Sequence, residues 1–272
     1  MTWLRRNALL IYAAVAVAYM LAPIAVVALF SFDDTSQGKL DYAWSGFSLD
    51  AWKDAFGNES VNEAMVTSLQ LAALSTVVAT ILGTLMALAL VRHQFRGRGL
   101  SNLLIILPMA TPEIVIGASL LSMFLIYGLE LGFTTLLIAH IMFSISFVVV
   151  VVRSRLIGFD RSLEEAAADL GATPLTTFRK VTMPLLAPGI LAAALLAFAL
   201  SIDDFVISNF NSGTTETFPL YIFGVSLRGI PVQVNVLATL LFAVAVFAIA
   251  LVLWQQARAE RMASVRPEEM GL

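Results

Sequence analysis

Cysteine is absent from the 272-residue chain, which excludes a disulfide framework, a cysteine-based metal site and a cysteine nucleophile. Histidine occurs only twice, as His93 and His140, too far apart for an H-E-x-x-H zinc site. Charged residues make up 13%, where a soluble domain carries roughly a quarter. No G-x-x-x-x-G-K-[ST] stretch exists, and the sole Gly-Lys pair, Gly38-Lys39, is followed by Leu40. Lacking that phosphate cradle, the polypeptide is not expected to hydrolyse ATP. An aspartyl-protease dyad is equally disfavoured: Asp203 and Asp204 are neighbours, and on a helix they would diverge by about 100°. An enzyme is therefore not expected.

What is present is apolar. Hydrophobic residues reach 59% and mean hydropathy is +0.88. A spanning helix needs about 20 mostly apolar residues. Six stretches qualify: 8–30, 64–91, 100–127, 131–152, 185–207 and 234–254. The first is too long, and too closely followed by others, for a cleaved signal peptide; it reads as a retained helix. Six spans put both termini on one side. That side receives Arg5 and Arg6, then Arg92, Arg96 and Arg98, then Arg153, Arg155, Arg161, Arg179 and Lys180, then Arg258, Arg261 and Arg266. The other side holds only Lys39, Lys53 and Arg228. The positive-inside rule predicts that both termini are cytoplasmic.

Two outer segments follow. Residues 31–63 are acidic, with Asp33, Asp34, Asp41, Asp50, Asp54, Glu59 and Glu63. There "FSLDAWKDAF" predicts a short interfacial helix capped by Ser48, with Trp52 and Phe56 on one face. Residues 208–233 form a Gly/Pro/Thr-containing loop. With no low-complexity segment or evident repeat, one membrane domain over 1–272 is the economical reading.

The stretch "SLEEAAADLGATPLTTFRKVTMP", residues 162–184, is a polar, alanine-rich and basic interruption between two apolar runs. Ser162 stands three residues before Glu165, as in a capping box. Gly171 falls where a left-handed residue would end the helix. Thr173-Pro174 has the chemistry of an N-cap followed by N1, and Pro184 marks the opening of the fifth span. Local chemistry thus predicts helix, sharp turn, helix on the cytoplasmic side. Its small alanine surface would let another protein approach the backbone closely. Read structurally, Glu165 is a capping residue and Ala166 and Ala167 are good helix formers.

Glu165-Ala166-Ala167, then Gly171, Val181 and Met183-Pro184, resembles the E-A-A-x3-G-x9-I-x-L-P signature of ABC-importer permeases, with Val and Met in place of Ile and Leu. The flanking "AHIMFSISFVVVVVRSRLIGFD" and "FALSIDDFVISNF" extend the likeness to the second permease subunit of spermidine/putrescine importers. That resemblance implies an all-α, six-span permease of the type I ABC-importer (MetI-like) fold in a bacterial cytoplasmic membrane. It further implies pairing with a homologous permease and docking of the hairpin on two ATP-binding subunits, which bind the ATP and magnesium. Substrate would come from an extracytoplasmic solute-binding protein. No cofactor is expected in this chain; lipid surrounds it, and nucleic acid is not an expected partner. Other readings keep the architecture but change the cargo to another small organic solute or a metal chelate, or make the chain a stand-alone channel or carrier.

Ionisable residues inside a span are functional candidates by default. Glu113 lies about 20 Å into the third span, behind Pro108 and Pro112, where a kink is predicted. Asp203 and Asp204 lie about 27 Å up the fifth, and His140 about 13 Å into the fourth from outside. Glu113, Asp203 and Asp204 would line a path for a polycation, with Phe205 and Tyr221 supplying aromatic faces. The alternatives are a solvated or turn-capping role for either aspartate and a buried hydrogen bond for Glu113. His140 reads as a satisfied core histidine.

Overall fold

The structure, a computed structural model, describes residues 2–34 and 44–269. Lys39 and Asp41, and the side chains of Arg5, Arg6, Arg261 and Arg266, lie outside what it describes. The described residues are helical, with one isolated bridge, Asp33 to Phe47, and no strand. In order the helices are α1 (Thr2–Phe30), α2 (Asp50–Lys53), α3 (Glu59–Arg92), α4 (Arg98–Ala110), α5 (Glu113–Ile126) and α6 (Phe133–Ile157). There follow α7 (Ser162–Asp169), α8 (Pro174–Thr177), a π-helical stretch Phe178–Thr182, α9 (Met183–Ile202), α10 (Val206–Asn211), α11 (Phe218–Val225) and α12 (Val232–Glu269).

Contacts divide the chain into two compact units. One comprises Met1–Val61 and Val225–Leu272. In it α1 packs against α12, and Trp52 of α2 joins Ala55, Val232 and Val236 in a small core. The predicted outer helix is a single turn. Trp52 stacks on Phe32 at 5.0 Å, whereas Phe56 lies beyond the helix end and is 71% exposed. The expectation that Trp52 and Phe56 share a face fails because the turn stops before Phe56. Along α1 the side chains of Leu9, Tyr12 and Tyr19 are almost fully exposed, as a lipid-facing helix requires.

The other unit is Asn62–Gly224. Its main core is built by α3, α4, α6 and α9 through Ala79, Ile105, Val149, Leu186 and Ala193. A second cluster joins α5, α6 and α10 through Ile116, Phe124, Phe143 and Ile207. Small residues set the approach distances. A Cβ on Gly117 would lie 2.8 Å from the Phe210 ring, so α5 and α10 touch where only hydrogen fits.

Among the described residues four helical stretches are long and apolar enough to cross a membrane: Asn7–Phe30, Glu59–Arg92, Phe133–Ile157 and Pro174–Ile202. The third predicted span departs from expectation. It is two helices, α4 and α5, meeting at 111° instead of one kinked rod, and counts as a fifth crossing only if the bent pair is one span. The cause is Thr111-Pro112. Proline lacks an N–H and drives the preceding residue out of helical geometry, and Thr111 is extended at ψ 135°. The Thr111 hydroxyl donates to the Leu107 carbonyl that the break would leave open. The predicted sixth span falls within the continuous α12, whose described apolar stretch is Val232–Phe247.

Candidate functional site

At the hairpin, Gly171 has φ +79°, and the end of α7 forms a Schellman turn. The Ala172 N–H donates to Ala167 O and the Gly171 N–H to Ala168 O. Thr173 caps α8 through its hydroxyl, which accepts from the Thr176 N–H, with Pro174 at the first helical position. One expectation needs correction. Ser162 does not cap α7; it is the first helical residue, and its N–H is met by the Asp160 carboxylate. Pro184 does stand in the first turn of α9, as expected, but no break in the helix precedes it. Helix runs unbroken from Pro174 to Ile202, and the π stretch just before Met183 lets the Met183 N–H reach back to Phe178 O. That wider turn absorbs the carbonyl register a proline disrupts.

The hairpin buries no side chain of α7 or α8. Glu165 and Ala166 are exposed, Ala167 and Val181 are half-buried, and Leu170 at the tip is 90% exposed, with Leu163 and Leu175 also exposed. The carboxylate that bonds inward is Glu164, one residue before the signature glutamate. A single oxygen of Glu164 accepts from the Arg92 guanidinium at the end of α3 and from the buried Thr182 hydroxyl. Burial disfavours its charge, but the Thr182 hydroxyl and the Arg92 cation outweigh burial and hold Glu164 below the ordinary glutamate range. Arg92, Arg161, Glu164 and Glu165 line a cleft of about 290 Å³. Glu164 was passed over in the sequence because Glu165 alone fits the motif spacing.

At the other end of α9 the helix stops at Ile202 and the predicted 185–207 span breaks. Asp203 is the C-cap and is exposed, while Asp204 is buried. The Asp204 carboxylate accepts from the Ile207 N–H at 3.2 Å and from the Ser208 N–H and hydroxyl, each at 2.8 Å. It thereby caps α10, the alternative that local sequence left open. Ser208 also lies 3.0 Å from His140 Nε2, and His140 Nδ1 lies 2.7 Å from the Ser201 hydroxyl. Ser75 of α3 donates to Ser201 at 3.1 Å. One direction satisfies every link: Ser75 to Ser201 to His140 Nδ1, then Nε2–H to Ser208 to Asp204. This assigns His140 the neutral Nε2–H tautomer. The chain of bonds ties α3, α6, α9 and α10 together out of water. His140 is the satisfied core histidine expected of it; the three serines carried no signal, since serine is unremarkable in a packed span.

Glu113 starts α5, is exposed, and lies within Coulombic range of Asp203 and Asp204. Exposure removes the buried-hydrogen-bond alternative. Phe205 is half-buried and packs on Phe223 at 4.8 Å between centroids, whereas Tyr221 is buried at 7% exposure. The structure therefore brings Glu113 and the two aspartates together but withdraws Tyr221 from the open surface. Asn211 of α10 pins this arrangement, donating to Gly117 O of α5, while its own carbonyl accepts from Thr135 of α6.

Residues 79–263 match the family described as binding-protein-dependent transport system inner membrane component, which spans the hairpin, the α9–α10 break and most of α12. The chain belongs to that family. It is 39% identical over 240 residues to the spermidine/putrescine transport system permease protein PotC of Haemophilus influenzae, covering 88% of this chain and 91% of the relative. It is 40% identical to PotC of Escherichia coli, covering 82% and 84%, and 37% identical to the E. coli putrescine transport system permease protein PotI, covering 89% and 88%. In fold it resembles a chain of a bacterial ABC transporter that imports the acidic polysaccharide alginate, with TM-score 0.64 at 18% identity over 94% of this chain and 98% of that one. It also resembles a chain of the MetNI methionine transporter, with TM-score 0.55 at 18% identity over 73% and 93%. The all-helical, MetI-like permease fold is thus shared across very different cargoes, and the family places this chain among inner-membrane transport components.

Proposed function

We propose that the chain is a permease subunit of an ATP-driven polyamine importer, forming half of the translocation pathway beside a homologous permease. The observation that carries this is the 39–40% identity to PotC proteins over most of both chains. Both termini face the cytoplasm in this reading, because thirteen of the sixteen Lys and Arg then fall on that side. The hairpin of residues 162–184 docks in a cleft of an ATP-binding subunit. Leu170, Leu163 and Leu175 supply an exposed apolar knob, and Glu165, Ala166, Ala167 and Gly171 a close-approach surface. Val181 and Pro184 lie where the hairpin passes into α9. Two such ATP-binding subunits hold the nucleotide and magnesium, and an extracytoplasmic binding protein delivers the solute.

The substrate path uses Glu113 and Asp203. Both are exposed carboxylates at breaks between helices, and an ammonium group passing them exchanges water for a carboxylate. Asp204 contributes field, not contact, because its oxygens are committed to α10 and Ser208. Phe205 offers an aromatic face next to Asp203. The test is uptake of radiolabelled spermidine and putrescine by proteoliposomes holding the full importer. Uptake should require ATP inside and binding protein outside. An importer that assembles and hydrolyses ATP yet moves neither polyamine would sink the substrate assignment.

A further inference from the structure

The hairpin has an unusual mechanical problem. Neither α7 nor α8 buries a side chain, so no core holds it in place. α8 is secured because its helix continues through the π stretch into α9. α7 has no such continuity: 158–161 joins it to α6 and 170–173 joins it to α8, and both joints are non-helical. A push on the tip at Leu170 would swing α7 about those joints unless something fixed it to the membrane-embedded body.

We infer that Glu164 is that fixture: a positioning residue which latches α7 to the ends of α3 and the π stretch, so that displacement of the hairpin is transmitted to the spans. One carboxylate oxygen receives Arg92 of α3 and Thr182, the last residue of the π stretch. Thr182 is fully buried and Arg92 sits at the very end of a 34-residue helix, so both anchors belong to the rigid body. Glu164 lies in the first turn of α7, where backbone dipoles add to the hold on a carboxylate. Glu165, about 100° further round the same helix, lines the same cleft but remains exposed, open to a partner. The two adjacent glutamates thus divide the work, one bonded to the body and one left at the open rim of the same cleft. This inference rests on reading the hairpin as the element an ATPase moves.

The absence of cysteine makes the test direct. Spin labels at Gln94→Cys and Ala168→Cys, in the full-length permease with and without cysteine-stripped partner subunits, report by pulsed electron resonance the distance from the segment just past the end of α3 to α7. The native latch should give one narrow distance. Glu164→Ala, Arg92→Ala and Thr182→Val should each broaden it, and Glu164→Ala with Arg92→Ala should be no broader than either alone. Glu164→Gln, which keeps an acceptor, should fall between. In the assembled importer Glu164→Ala should retain stoichiometric ATPase and basal hydrolysis while solute moved per ATP drops at least fivefold. A distance that stays narrow, or an unchanged transport-to-ATP ratio, overturns the latch. Loss of the ATPase from the Glu164→Ala complex also overturns it, because Glu164 would then belong to the docking face. Failure of the underlying reading shows separately, as a native chain that never retains an ATPase.

Discussion

The Nε2 of His140 lies 3.5 Å from a carboxylate oxygen of Asp204, and the Ser208 hydroxyl is bonded to both. Two aspartates adjacent in sequence therefore live in different worlds: Asp204 is built into a buried chain of hydrogen bonds, and Asp203 is open.

The two should separate on mutation. Asp204→Ala strips acceptors from two backbone N–H groups and from Ser208, which costs about 3 kcal/mol or more. The expected result is a large drop in the fraction of complex surviving heating, read by size-exclusion chromatography. Asp203→Asn should leave survival within about 0.5 kcal/mol of the parent. Equal survival of the two variants would show that the capping role is wrong.

Uptake should rank them differently. In the assembled importer Asp203→Asn and Glu113→Gln should each lower polyamine uptake about tenfold, corresponding to ~1.4 kcal/mol of lost cation stabilisation. Unchanged rates for both variants would remove the acidic path and leave family membership untouched.

Gly171 tests the turn. Its φ of +79° costs an alanine roughly 1 kcal/mol, and a β-branched residue more. Gly171→Ala should weaken ATPase co-purification several-fold at limiting ATPase, and Gly171→Val should weaken it further. Retention at parental levels by both variants would mean that the left-handed turn is dispensable for docking.

Gly117 tests the seam between α5 and α10. A methyl there meets the Phe210 ring at 2.8 Å, and overpacking of this kind costs about 1–3 kcal/mol. Gly117→Ala should lower thermal survival, and adding Phe210→Leu should recover part of it. No recovery would mean that the damage lies elsewhere.

Acid should open the Glu164 latch. Glu164 is held below the ordinary glutamate range in the folded chain, so its contribution is complete above the unfolded value near 4.5 and is lost progressively as pH falls from there through the lower folded value. The Gln94–Ala168 label distance should therefore stay narrow at pH 6 and broaden in strong acid. Broadening already at pH 6 would contradict the sign of the shift.

Much of this was legible from residues alone. Long apolar runs specify α1, α3, α6 and α9 because length and composition suffice for spanning helices, and Gly171 and Thr173-Pro174 specify the hairpin because turn and cap chemistry is local. The 111° break at Thr111-Pro112 was foreseen only as a kink, since hydropathy continues smoothly across it while backbone direction does not. The site was half visible: charges in apolar runs announced Glu113, Asp203 and Asp204. Yet Ser75, Ser201 and Ser208, and the Glu164–Arg92 contact, depend on which helices meet, which no single segment encodes.

The unbroken path from Pro174 to Ile202 spans 29 residues, about 43 Å at helical rise. Its foot is the hairpin and its head is the Asp203–Asp204 break. A rod of that length turns a tilt of about 5° at the foot into a sweep of about 4 Å at the head. That exceeds the reach of a hydrogen bond, so a modest nudge at the foot is geometrically sufficient to unmake or remake the polar contacts at the head.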